Sequence, residues 1–243
     1  TMVEANESAL VGAGTLTNAA THTIRGQGTI AVSLVNQGSV IAEGGRLTID
    51  GKNLSNAGST VQIAGNGTFS LTNNAALVGG TLNGVLGAQL TGDGTGRLQN
   101  TAVAGTVRQA SAITLLEGTI TNSGVLTFLG NNSNNINGFD DVYQIDGNTT
   151  LAGSGSLTMV EANESALVGA GTLTNAAGHT IRGQGTINVA NVANQSTIQA
   201  AGGVLTIDSA VTNTGGGTLS IAADGILNLS NSTATGGSLV GID

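Results

Sequence analysis

Over short stretches, apolar and polar residues alternate strictly. Arg46-Leu47-Thr48-Ile49, Thr60-Val61-Gln62-Ile63 and Thr68-Phe69-Ser70-Leu71 each carry an aliphatic side chain or Phe at every second position. Successive side chains of an extended chain point to opposite faces, so this alternation predicts half-buried strands. Thr, Val and Ile favour strands, and Gly recurs too often for helix interiors. Only Met2–Leu10, and its repeat Met159–Leu167, reads as a short helix.

Two periods organise these strands. The short one is an aliphatic–polar–Asn tripeptide ending at Asn18, Asn36, Asn56, Asn73, Asn100 and Asn122, and again at Asn175, Asn194, Asn213 and Asn231. Neighbouring copies are mostly 17 to 22 residues apart. A Gly-x-Gly motif interleaves with it, as in Gly26-Gln27-Gly28, Gly65-Asn66-Gly67 and Gly153-Ser154-Gly155. The long period is almost exact: residues 1–30 recur at 158–187 with one change, Thr21 against Gly178. Beyond it, Leu47-Thr48-Ile49-Asp50 returns as Leu205-Thr206-Ile207-Asp208, one residue out of step, which marks a turn able to absorb length. The chain thus reads as one unit over 1–157 and a partial second copy over 158–243, in one continuous solenoid. A cut through a copy leads us to expect more copies in a parent protein.

Many short strands at a repeat of about 20 residues predict a parallel β-helix rather than a propeller, whose repeats run to about 40–50. The expected fold is all-β: a single-stranded, right-handed parallel β-helix of about 12 coils, roughly 55–60 Å long at ~4.8 Å per coil. Aliphatic side chains stack inside, with Leu16, Leu34, Leu54 and Leu71 as one expected row. Asn tolerates the left-handed backbone of coil corners, and stacked Asn amides bond from coil to coil, so the ten Asn residues form the expected ladder. Pro is absent, as expected where nearly every N–H donates to a neighbouring coil.

Composition narrows the function. Charged residues are 8% and aromatics 2%, with 40 Gly and no Cys or Trp. No disulfide framework exists. Six basic residues and a net charge of −8 would repel a phosphate backbone, so no nucleic-acid partner is expected. No apolar run approaches the roughly 20 residues needed to span a bilayer, so no membrane insertion is expected. Residues 1–12 lack the basic start and apolar stretch of a signal peptide.

Aliphatic-x-Asn, then a Gly-rich turn, then an alternating strand, at about 20 residues, resembles the repeats of filamentous-haemagglutinin-type and autotransporter-like bacterial exoproteins. The resemblance covers essentially the whole chain. It implies export across the outer membrane and display at the bacterial cell surface as a long β-helical fibre or adhesin. Expected partners are further copies of the repeat, in the same chain or head to tail, and host or cell-surface glycans.

Candidate chemistry is sparse. His22 and His179 occupy equivalent positions several coils apart, and read as turn or surface residues. Gly-x-Gly lacks the Lys-Ser/Thr and helix of a phosphate loop. A polysaccharide lyase or tailspike-like depolymerase needs a charged cluster on one face; the six basic residues look scattered, and Asp140 and Asp141, adjacent in the chain, would point to opposite faces of a strand. No enzyme activity and no cofactor are therefore expected. Thr-x-Thr pairs such as Thr15-x-Thr17 are too irregular for an ice-binding face. One segment breaks the repeat, Asn131–Gln144. Its oxygen-rich side chains make Asp140 and Asp141 candidate calcium ligands, although Gln144 stands where an EF-hand places Glu.

Overall fold

A computed structural model describes residues 1–3, 8–85, 87–110, 113–129, 139, 141–162 and 164–241. Its strands form one 23-stranded sheet wound into a β-solenoid of about 10 turns. All strand pairings among the described residues are parallel, and no helix occurs there. The turns are fewer than the 12 expected because several are longer than the short repeat: Leu54 pairs with Leu77, and Leu116 with Ile145.

Inward aliphatics stack in rows, as the alternation predicts. Leu16 lies over Leu34, then Leu54, Leu77, Leu98 and Leu116. From Leu34 onward these side chains are buried, and each contributes roughly 1.5–3 kcal/mol of transfer free energy. Leu71 is not in this row. It lies over Ile49, which lies over Ile30, at a different side of the coil.

Neither stretch expected to be helical holds a helix among its described residues. Ala9–Asn18 and Ser165–Asn175 are β-strands. Ahead of the second, the Ser165 hydroxyl accepts from the backbone N–H groups of Val160 and Glu161, closing a single turn. Met2 bridges to Gly26. A Cβ on Gly26 would run into the Met2 carbonyl, and one on Gly183 into that of Met159. In these two copies the Gly-x-Gly motif lets the chain pass closely over itself.

Seven successive pairings carry the chain from strand Ala9–Asn18 back to Ser165–Asn175, which repeats its sequence. The second copy therefore sits in the same solenoid as the first. The two copies differ in cover: Ser165–Asn175 is overlain by Asp141–Ala152, while Ala9–Asn18 is largely exposed, with Val11 at 72%.

Candidate functional site

Two kinds of Asn corner exist, and spacing along the chain does not separate them. At one corner the amides stack. Asn18 Nδ2 donates to Asn36 Oδ1 and Asn36 Nδ2 to Asn56 Oδ1, both at 2.7 Å. Asn175 donates to Asn194 and Asn194 to Asn213, both at 2.8 Å. These six side chains are buried. The first stack ends at Asn56, because Gly79 and Gly80 follow it on the next coil, and a Cβ at Gly80 would strike the Asn56 side chain.

Asn73, Asn100 and Asn231 take no part in a stack. They are exposed and hold left-handed backbone, with φ of 54°, 50° and 48°. Asn100 belongs to a corner where Gly79, Gly118 and Gly147 hold similar φ values on neighbouring coils. Asn73 instead donates its amide to Asp50 Oδ1 at 2.6 Å. Left-handed corners and amide stacks are thus separate devices, because the left-handed corner turns its side chain outward.

Asn122 is buried and donates to Ser156 O at 2.8 Å, while its Oδ1 accepts from Gly124 N. These bonds fix which amide atom is nitrogen. The same Nδ2 lies 3.2 Å from His179 Nε2, which must therefore accept. His179 Nδ1 lies 2.9 Å from Asn175 Oδ1, so it carries the proton. His179 is a neutral bridge between Asn122 and the second stack. It is fully buried, and desolvation lowers its pKa to about 4. The expectation of a turn or surface residue holds for His22, which contacts Asn18 Oδ1 at 2.7 Å from an exposed turn; His179 also closes a turn, its N–H bonded to Ala176 O, but it faces inward.

Charge gathers on the outer face around Arg97. Arg97 Nη1 reaches Glu117 Oε2 at 2.9 Å and Asp146 Oδ2 at 3.1 Å, from three successive coils, and Gln99 Nε2 donates to Glu117 Oε1 at 2.7 Å. A shallow groove of about 320 Å³ lies beside them, lined also by Gly118, Gly147 and Asn148. Nearby, Asp93 ties two coils together. Burial alone would raise its carboxyl, but N–H bonds from Asn73, Thr95 and Gly96 and the Thr95 hydroxyl hold it below the usual range.

Of the two calcium candidates, Asp140 lies outside the described residues. Asp141 is buried, begins the strand Asp141–Ala152, and accepts from Leu129 N at 3.1 Å. Among the described residues no three His, Cys, Asp or Glu side chains group as a metal site. Next to Asp141, Tyr143 packs on Phe128 with ring centroids 5.1 Å apart. Burial, and then the Asp141 charge, push its phenol far above the usual value.

No family model matches this chain, and neither the curated proteins nor the solved structures contain a match.

Proposed function

We propose that the chain is a stiff, repetitive rod segment of a secreted fibre or adhesin on a bacterial cell surface, of filamentous-haemagglutinin-like type. It is not an enzyme and uses no cofactor. One observation carries this reading: seven coils bring the chain back onto a near-exact copy of itself within one stack. Each long unit can then be added without a new interface, so length is set by copy number. Sparse charge and near-identical copies suit a spacer that presents surface, with further copies of the repeat and extracellular glycans as its partners. Among the described residues no helix is long and apolar enough to cross a membrane.

The test is a series of chains with one, two and three long units, imaged by electron microscopy. Contour length should grow by about 34 Å per unit, at ~4.8 Å per coil. Units that separate as beads on flexible joints would overturn the rod.

A carbohydrate-active reading has one observation in its favour, the convergence of Glu117 and Asp146 on adjacent coils. Both carboxylates are held by the same guanidinium nitrogen, which suits an ion pair between coils better than an acid and a base. Turnover of a polysaccharide that is lost in Glu117→Gln would favour this second reading.

A further inference from the structure

The two copies of Thr-Ile-Arg-Gly-Gln-Gly differ in what meets the arginine. In the first, Arg25 holds Glu43 in a two-point grip, Nε to Oε1 at 2.6 Å and Nη2 to Oε2 at 2.8 Å. The hydrogen bond to Arg25 lowers the Glu43 carboxyl below its usual value. In the second copy, Ser39-Val40-Ile41-Ala42-Glu43-Gly44-Gly45 is replaced by Thr197-Ile198-Gln199-Ala200-Ala201-Gly202-Gly203. The backbone register is the same, with Arg182 paired to Gln199 as Arg25 is to Ile41. The carboxylate is gone, because Ala201 stands at the position of Glu43.

Arg182 has no acidic partner among the described residues. It is exposed, and its Nε donates to Thr158 Oγ1 at 3.2 Å. On the Ala201 side opens a groove of about 340 Å³, lined by Arg182, Gln184, Gln199 and Gly202. On its other side a second groove, about 330 Å³, is lined by Ser123, Ser154, Ser156 and Thr180. Ser156, Thr180, Thr197, Thr218 and Ser238 form a hydroxyl row across five coils. The guanidinium therefore stands between two open grooves, one lined mainly by hydroxyl groups, the other by Thr158, Gln184 and Gln199 beside Met159 and Val160.

We propose that Arg182 anchors a binding site for a carboxylate-bearing sugar, a uronic acid unit of an acidic polysaccharide, whose carboxylate takes the place that Glu43 fills at Arg25. A guanidinium fork and a carboxylate match through two parallel bonds. The hydroxyl and amide groups of the grooves suit the ring hydroxyls of a sugar. No aromatic side chain lines either groove, and the one large apolar side chain there, Met159, is itself buried, so a peptide side chain finds little to pack on. The site rests on the reading of this rod as a surface that faces glycans, and it supplies the chemical class that reading leaves open.

The experiment is calorimetric or NMR titration of the whole chain with trigalacturonate, with neutral galactotriose and triglutamate as comparison ligands. Trigalacturonate should bind at least tenfold more tightly than either. Arg182→Gln should weaken it at least tenfold. Ala201→Glu, which supplies an internal carboxylate, should weaken it equally while leaving the arginine in place. Glu43→Ala added to Arg182→Gln should recover part of the binding at Arg25. No measurable binding of trigalacturonate, unchanged binding in Ala201→Glu, or equal binding of triglutamate would overturn the proposal. Electron microscopy of multi-unit chains judges the rod separately, so either claim can fail alone.

Discussion

Nδ2 of Asn122 lies 3.2 Å from Nε2 of His179, a residue 57 positions further along the chain. The ring replaces an amide in the Asn stack and works only when neutral, because a second ring proton would face an NH₂ group. Charged residues on the elements around it are Glu117 on the strand of Asn122, Arg182 on the strand that follows the His179 turn, and Asp141 and Asp146 on the neighbouring Asp141–Ala152; none contributes to the shift, which is desolvation alone.

A pH dependence follows. The folded pKa is about 4 and the unfolded one near 6.5, so between them the unfolded chain binds more protons. The contribution of His179 is complete above about pH 6.5 and declines as pH falls, with on the order of 3 kcal/mol lost below the folded pKa. Urea unfolding of the parent chain, compared with His179→Ala at pH 7.5 and pH 4.5, isolates this part from the carboxylates. Equal pH dependence in the parent and His179→Ala would contradict the neutral bridge.

Asn36 both accepts from Asn18 and donates to Asn56. Asn36→Ala should cost about 2–4 kcal/mol, since it leaves Asn56 Oδ1 and one hydrogen of the Asn18 amide without their partner, while Asn18 keeps its bond to Ser39 O. Asn73 is exposed with φ of 54°, where glycine is at ease. Asn73→Gly should change stability by less than about 1 kcal/mol. Chemical denaturation of both variants checks the contrast, and equal losses would erase the distinction between the two kinds of corner.

Leu77 is buried between Leu54 and Leu98, whereas Leu71 stacks in another row. Leu77→Ala should destabilise by about 2–5 kcal/mol. In a double mutant, Leu77→Ala and Leu98→Ala should couple more strongly than Leu77→Ala and Leu71→Ala, because only the first pair is stacked in register on adjacent coils. Unfolding midpoints of the single and double mutants measure this.

Asp141 accepts a backbone N–H from Leu129, so its carboxylate ties the start of its own strand to the chain on the other side of residues 130–140. Asp141→Ala should cost about 1–3 kcal/mol. Calcium and EDTA should give the same melting temperature for the parent chain. A calcium-dependent rise that Asp141→Ala abolishes would make this segment a cation site.

Much of the architecture is legible in the sequence because alternation reports burial directly: Leu47, Val61 and Phe69 alternate with polar neighbours and are fully buried. Corner identity is not legible, because Leu71-Thr72-Asn73 and Leu54-Ser55-Asn56 are equivalent tripeptides at different corners, and coils of unequal length hide this. The stretch from Met159 reads as a helix because its Glu, Asn and Ala residues resemble a first helical turn, yet Ser165 ends that turn after one winding. The burial of His179 depends on a coil 57 residues away, which the local pattern does not reveal. One local signal was available: a His four residues after a ladder Asn occurs twice, at His22 and His179. The difference between Arg25 and Arg182 becomes meaningful only once pairing places Glu43 beside the first and Ala201 near the second.

The stacked solenoid itself is tested most directly by one distance. Ala20 and Ala177 are exposed turn residues at equivalent positions of the two long copies, and the chain has no cysteine, so a cysteine pair there takes two spin labels without background. Pulsed electron paramagnetic resonance should give a single narrow distribution near 34 Å, the rise of seven coils at ~4.8 Å each. A broad distribution, or a distance far from that value, would contradict in-line stacking of the coils.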